Sequence, residues 1–284
     1  MSPREFIAVG KQAVGAWSDD GAASMGAALA FYALFSMAPL LLLVISILAL
    51  IVDAEVASRL IFDQLAQLLG EQGANAVRGV LQASKEGGEG IVAAMVSFAM
   101  LVLGATTVLA ELQRDLDRIW RYQPPPGRGL WRMVGARLWA VGLVLAIGFL
   151  LLLSLVLSAV VSALGSLWAE FLPGTALLLR ALELGVSFLV VTGLFAMIYK
   201  ILPNARIAWA DVWVGAAITS VLFGVGKWLI GLYIGKSSVA SPFGAAGTLV
   251  VVILWVYYSA QVFFLGAEFT HAYARRRGTQ KPAA

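Results

Sequence analysis

Three ionisable side chains interrupt long apolar stretches of this chain, and they are its best candidates for chemistry. Glu183, Lys227 and Glu268 each lie within or near the end of a hydrophobic run. A charged group at the centre of a bilayer costs about 3 kcal/mol or more unless it is paired or hydrated. Such residues therefore hold helices together or line a path for an ion or a polar headgroup.

Lys227 and Glu183 are predicted to lie at a similar depth, towards the outer side of a membrane. Lys227 is about 22 Å into its run at a helical rise of ~1.5 Å per residue, and Glu183 is about one and a half turns into the preceding run. Arg180 precedes Glu183 by three residues, on nearly the same face. We predict a Lys227–Glu183 contact, with Arg180 competing for the carboxylate. The pair either joins two helices or serves an outward-facing cavity, and a third interpretation has Lys227 snorkelling outward.

Glu268 is predicted to lie near the cytoplasmic boundary, because it comes late in the last apolar run. There it can meet Asp19, Asp20, Arg114 or Arg118. A carboxylate beside arginines is usually a structural clasp. A proton-linked gate is the alternative.

Glycine and proline are placed where they affect helix packing. Gly224, Lys227 and Gly231 recur on one helical face, which predicts close approach of a neighbouring helix. The same smooth face could instead line a cavity with Lys227 projecting into it. Pro39 removes one backbone hydrogen bond and predicts a kink in the first run.

Catalytic motifs are absent from the sequence. It has one histidine and no cysteine, and no cluster of ligand residues has metal-site spacing. No nucleophile elbow, phosphate-binding loop or dinucleotide fingerprint is present. Asp115 and Asp117 face different ways among arginines and do not form a nuclease site. We expect no catalytic residue, metal, cofactor or enzyme activity.

The composition is that of a membrane protein. Of 284 residues, 61% are apolar and 13% charged, with a mean hydropathy of +0.88, whereas soluble domains carry about 25% charged residues. One integral membrane domain follows, with membrane lipids as partners. No basic surface studded with aromatics suggests a nucleic-acid partner.

Six apolar runs are long enough to cross a bilayer as helices. They cover about residues 27–52, 90–110, 136–163, 182–199, 212–234 and 248–269. Fourteen basic residues fall on the side of the two termini and the second and fourth loops, against five on the other side. Positive residues favour the cytoplasmic side. The predicted fold is an all-α polytopic membrane protein with six transmembrane helices and cytoplasmic termini.

Further helices are predicted outside these spans. Residues 3–18 suit an amphipathic helix lying on the membrane surface. Residues 54–84 are predicted to form two short outer helices, broken at Gly70–Gly73. Residues 111–122 continue the second span as a charged cytoplasmic helix, which ends before Pro124.

Ordered motifs run along most of the chain. They are Asp20 with Ala27–Leu41, Leu202–Pro203–Asn204, Gly215–Ala216, Lys227 with Tyr233, Phe243–Gly244 and Trp255–Glu268. In combination they resemble the YihY / virulence factor BrkB family of bacterial inner-membrane proteins. Two positions depart from the pattern, because that family usually has Tyr-Gly at 243–244 and commonly has Asn at Asp117.

The resemblance implies a six-helix inner-membrane protein with cytoplasmic termini. It also implies a link to envelope integrity, serum resistance and transport of lipid or other envelope components. Members have carried the label ribonuclease BN, but these residues give no support to nuclease chemistry, and we expect none.

Two functions remain open from the sequence. The first is a transporter or flippase of a lipid or another envelope component, for which an anionic headgroup would suit a lysine and arginine pair. The second is a non-transporting scaffold that acts through its outer and cytoplasmic helices, and a membrane-bound hydrolase is a weaker third. The glycine packing is compatible with a monomer or a homo-oligomer.

Reversing the charges tests the predicted pair. Lys227→Glu or Glu183→Lys alone should lower thermal stability and yield, since each leaves like charges together at membrane depth. The double reversal should restore both. If the double variant is no better than the single ones, the two side chains do not pair.

Overall fold

The described part of the chain is almost entirely helical. The computed structural model describes residues 3–49, 52–85, 107–122, 176–236 and 247–279. Its helices are α1 (Pro3–Asp19), α2 (Ala22–Leu48), α3 (Ala54–Lys85), α4 (107–119), α5 (Ala176–Ile201), α6 (Trp209–Lys236) and α7 (Gly247–Arg277). These residues include no strand, as the predicted all-α class requires.

Three helices are long and apolar enough to cross a membrane. The qualifying stretches are Leu184–Ile201 in α5, Trp209–Ile230 in α6 and Val250–Arg277 in α7. They overlap the last three predicted spans. α7 has 31 residues, or about 46 Å at ~1.5 Å per residue, which exceeds a hydrocarbon core of about 30 Å.

The other predicted spans are described in part or not at all. Most of 27–52 falls within α2, which is helical on both sides of Pro39, and the kink there stays a prediction. The span 136–163 and all but the last residues of 90–110 lie outside the described residues.

α7 is the central helix, and it contacts α1, α2, α3 and α6. Glycines let its neighbours approach closely. A Cβ atom added at Gly215 of α6 would lie 1.7 Å from Thr270 Oγ1, and one added at Gly266 of α7 would lie 1.9 Å from Thr219 Oγ1. Only hydrogen atoms fit at these two crossing points.

Hydroxyl groups join α5, α6 and α7 at the same level. The Tyr199 hydroxyl donates to the Phe263 carbonyl oxygen at 2.7 Å and lies 3.1 Å from Thr219 Oγ1. Thr192 Oγ1 donates to Ser220 Oγ at 3.0 Å. Buried hydroxyls in a membrane need internal partners because hydrocarbon offers none.

α3 is one continuous helix, so the predicted break at Gly70–Gly73 is wrong. Each glycine costs a helix only about 1 kcal/mol relative to alanine. One face of α3 is buried, and tertiary packing of that face offsets the weak local preference. The apolar cluster beneath it contains Phe62, Val77 and Leu81 of α3, Leu41 and Ile45 of α2, and Val251 and Val252 of α7.

α1 packs on the last turns of α7. Its Val9 and Ala13 are buried against Phe269 and Ala272, and the Phe6 ring lies 5.3 Å from the Phe269 ring. The opposite face of α1 is exposed, as the predicted amphipathic character requires.

Segments assigned to one side of the membrane by the charge count meet at one end of the bundle. Arg276 of α7 donates to the Glu5 carbonyl oxygen at 2.8 Å, Arg121 contacts Asp20, and Asn204 contacts α4. We call this the clustered end: it comprises α1, the α1–α2 turn, α4, the loop 202–208 and the last turns of α7.

The glycine contacts predict unequal effects of adding one methyl group. Gly215→Ala and Gly266→Ala should each lower the free energy of unfolding by about 1–3 kcal/mol through overpacking. Gly224→Ala is the control on α6, because a Cβ there meets no described atom within 4 Å. It should be neutral or stabilising by up to about 1 kcal/mol. Thermal unfolding in detergent measures all three, and equal losses would contradict the packing described.

Candidate functional site

Glu268 is the one carboxyl group of α7 and is buried at the clustered end, with 1% of the residue exposed. Asp20, which is 4% exposed, lies close enough to share a hydrogen bond between the two side chains. Asp20 follows directly after α1, and Gly21 at φ +72° turns the chain into α2. This left-handed turn suits glycine, and it holds Asp20 against α7.

Arg121 contacts the acidic pair from the end of α4. Its guanidinium lies 2.9 Å from Asp20 Oδ1. Arg121 itself has φ 52°, and the Tyr122 N–H donates to the Asp117 carbonyl oxygen at 2.8 Å. That pattern ends a helix and normally uses glycine, so arginine there costs about 1–2 kcal/mol. A strained residue held in place by its surroundings points to a function at the contact it makes.

His271 completes the group. Its Nδ1 atom lies 3.9 Å from Glu268 Oε2, beyond hydrogen-bonding distance, and its ring lies 5.2 Å from the Trp120 ring. His271 is buried. We call Asp20, Arg121, Glu268 and His271 the buried polar cluster.

The donors of the buried polar cluster do not reach all of its acceptors. Asp20 Oδ2 and Glu268 Oε1 are both buried and receive no hydrogen bond from the described residues. A buried polar atom without a partner costs about 1–3 kcal/mol. Two such oxygens on neighbouring carboxyl groups can be satisfied together by one proton.

The sequence interpretation named only part of this cluster. The structure brings Glu268 and Asp20 together, while Asp19 is exposed. Arg114 instead pairs with Glu111 at 3.1 Å, and Arg118 is exposed near Asp115. The arginine on Asp20 is Arg121, because α4 ends at residue 119 and its left-handed turn redirects the chain.

Arg121 and His271 are not assigned to this site by the sequence analysis. His271 follows Glu268 by three residues, a spacing that puts both side chains on one helical face, and this was the available signal. Arg121 gave no signal of its own, because its position depends on how α4 ends.

A second contact links α4 to the loop between α5 and α6. The Asn204 backbone N–H donates to Asp117 Oδ1 at 2.7 Å, and Asn204 Nδ2 donates to Asp117 Oδ2 at 2.6 Å. Gln113 Nε2 donates to the Leu202 carbonyl oxygen at 3.0 Å. α4 therefore bridges the α1–α2 turn and the α5–α6 loop.

Asp115 is a buried carboxyl group of α4, outside the membrane-crossing stretches. Burial raises its pKa from 3.8 to about 6, and Glu111 adds to the rise, while Arg114 and Arg118 oppose it. Asp115 Oδ2 receives no hydrogen bond from the described residues.

Asp211, at the start of α6, is a buried carboxylate with partners, unlike the carboxyl groups of the buried polar cluster. It is fully buried, but its carboxylate accepts from the Thr279 hydroxyl and lies 3.5 Å from Arg277. This carboxylate has ordinary partners.

The second predicted site, around Lys227, is less complete. Lys227 is half-buried on α6, but the side chains of Arg180 and Glu183 lie outside the described residues, so their pairing stays a prediction. A cavity of about 210 Å³ lies between α2, α3, α6 and α7. Its lining is almost wholly apolar and does not include Lys227: Met37, Val77, Phe223, Val252, Trp255, Val256 and Ser259.

Comparison with known proteins gives one consistent family. Residues 13–284 match the family described as virulence factor BrkB. A UPF0761 membrane protein of Pseudomonas paraeruginosa is 29% identical over 275 residues, covering 93% of this chain and 63% of its own length. One of Alcanivorax borkumensis is 25% identical over 265 residues, with coverages of 90% and 58%. The chain thus spans about three fifths of these relatives, and no solved structure matches it.

The raised pKa of Asp115 predicts a pH-dependent stability. The folded protein holds the carboxyl proton of Asp115 more tightly than the unfolded chain does. The stabilisation that this proton gives is full below pH 3.8 and is lost as the pH rises towards about 6. Asp115→Asn should therefore raise the free energy of unfolding at neutral pH by about 1–3 kcal/mol relative to the wild type, and this gain should shrink as the pH falls from about 6 to 3.8.

Unfolding in detergent across this pH range provides the measurement. Asp117→Asn is the matched control, because it removes a carboxylate that Asn204 uses and should give no gain. No gain in Asp115→Asn at neutral pH, or a gain of the same size at every pH, would contradict the assignment.

Proposed function

The chain belongs to the virulence factor BrkB family of membrane proteins, and from that premise we propose that it is a multi-pass transporter or flippase of the bacterial inner membrane. Its cargo is a lipid or another envelope component. The proposal includes six spans and cytoplasmic termini, so that the clustered end faces the cytoplasm.

One observation carries this proposal. Glu268 lies in the stretch of α7 that is long and apolar enough to cross a membrane, it is almost completely buried, and a second buried carboxyl group lies against it. Ionisable groups buried in or at the end of a membrane-crossing stretch are costly and are typical of ion and substrate paths. A purely structural clasp would be better served by a fully paired carboxylate such as Asp211.

Lys227 supports a second polar position on the same bundle. It lies sixteen residues beyond Asp211 on α6, or about 24 Å at ~1.5 Å per residue. The buried polar cluster and Lys227 thus belong to opposite halves of the membrane-crossing helices. A transporter that opens alternately to two sides needs polar groups in both halves.

The apolar cavity favours a lipid over a polar solute. About 210 Å³ of space lined by aliphatic and aromatic side chains suits part of an acyl chain and offers almost nothing to hydrogen-bond a sugar or an amino acid. A lipid needs polar contacts for its headgroup only, and an anionic headgroup would suit Lys227.

α4 would transmit movement between the two sides of the clustered end. Its Arg121 contacts the α1–α2 turn and its Asp117 contacts the α5–α6 loop. Movement of the turn against α7 would therefore move α5 and α6 as well.

Lipid movement in vesicles tests the proposal. The purified protein is reconstituted with a fluorescent phosphatidylglycerol analogue, and a membrane-impermeant reductant reports how fast the inner-leaflet label reaches the outer leaflet. The wild type should accelerate this exchange over protein-free vesicles. Lys227→Ala should slow it about tenfold, as expected for a contact worth about 1.4 kcal/mol in the transition state, and Lys227→Arg should retain most of it.

Lys11→Ala is the matched control, because it removes an exposed lysine of α1 and should leave the rate unchanged. Exchange no faster than in protein-free vesicles would count against transport of this lipid class. Equal rates in the wild type and Lys227→Ala would exclude Lys227 from the path.

A further inference from the structure

We propose that Asp20 and Glu268 share a single proton and form a proton-binding site that holds the α1–α2 turn against α7. The role of this proton in driving transport rests on the proposed function. Proton binding itself does not, and it can be measured separately.

The first argument is the balance of hydrogen-bond donors. Asp20 Oδ1 is occupied by Arg121, but Asp20 Oδ2 and Glu268 Oε1 are buried without a donor from the described residues. His271 is too far from Glu268 to donate, at 3.9 Å. One proton placed between the carboxyl groups supplies an O–H donor to an acceptor that otherwise has none.

The second argument is charge. Two ionised carboxylates in contact and out of water repel each other strongly, which is why such pairs commonly hold one proton between them. Arg121 balances one negative charge of the pair. The proton removes the other, and the site becomes electrically neutral.

The other titratable groups near the pair do not directly supply a second positive charge to balance the second carboxylate. His271 of α7 is one such group, and Arg275, which acts on His271, lies towards the exposed end of that helix. Asp19, beside Asp20 in the sequence, is exposed. The contact between the Asp20 and Glu268 side chains therefore depends on the shared proton.

Loss of the proton has a defined consequence. The O–H bond breaks, the proton passes to water at the clustered end, and the pair changes from one negative charge to two beside one guanidinium. Repulsion then separates Asp20 from Glu268. Arg121 stays with Asp20, so α4 moves with the α1–α2 turn.

The carbonyl stretch of a protonated carboxyl group tests the proposal directly. Infrared spectra are recorded on full-length protein in lipid nanodiscs at neutral pH, with Asp115→Asn as the background to remove a carboxyl group of raised pKa. A protonated-carboxyl band should be present. It should disappear in both Glu268→Gln and Asp20→Asn, because the new amide donates to the remaining carboxylate.

Asp211→Asn is the matched control, since that carboxylate is buried but has donors, and the band should remain in it. Survival of the full band in either Glu268→Gln or Asp20→Asn overturns the shared proton. So does a background spectrum without any protonated carboxyl.

A second measurement needs no substitution in the pair. Raising the pH of the background protein should remove the band and, over the same pH range, speed hydrogen exchange at the α1–α2 turn amides beyond the intrinsic increase. A band that persists with unchanged exchange would overturn the proposal. Failure of lipid exchange with the band intact would count against the transport function alone.

Discussion

The burial of Glu268 is the constraint on which the clustered end depends. A carboxyl group nine residues before the end of α7, after a long stretch without charged residues, must find polar partners inside the protein. It finds them in segments distant in sequence: Asp20 from the α1–α2 turn and, through Asp20, Arg121 from α4. The left-handed turns at Gly21 and Arg121 place these side chains. The strain at Arg121 shows that the contact outweighs a local conformational preference.

The two ends of the bundle are built differently. Near the clustered end, glycines and hydroxyl groups hold α5, α6 and α7 in close contact, so these three helices have little room to rearrange relative to one another without overpacking. At the opposite end, α2, α3 and α7 meet through aliphatic side chains beside a cavity of about 210 Å³. Movement that starts at the buried polar cluster would therefore be transmitted by α4 and α7 as rigid elements. The resulting rearrangement would take place at the opposite end of the bundle, beside the cavity.

The sequence predicts helices well where lipid requires an unbroken hydrogen-bonded backbone. The last three predicted spans lie within α5, α6 and α7 because apolar length alone specifies such helices. The same reasoning failed at Gly70 and Gly73, where local preference suggested a break and burial of one face of α3 kept the helix intact.

Prediction of the site was limited by tertiary geometry. Glu268 and Asp20 could be named because an isolated charge beside hydrocarbon is conspicuous. Arg121 could not be chosen from among several arginines, because its position depends on how α4 ends. Asn204 could not be paired with Asp117 at a sequence separation of 87. The sequence identifies the carboxyl groups whose charge must be balanced, and only the fold identifies the residues that balance it.

The most direct test is an experimental structure in a lipid bilayer at mildly acidic and at alkaline pH. The account predicts that Asp20 and Glu268 are in hydrogen-bonding contact at the acidic pH, with Arg121 on the other oxygen of Asp20, and that they separate at the alkaline pH with α4 following Asp20. A structure in which Glu268 faces lipid or open water, or in which the contact is identical at both pH values, would contradict it.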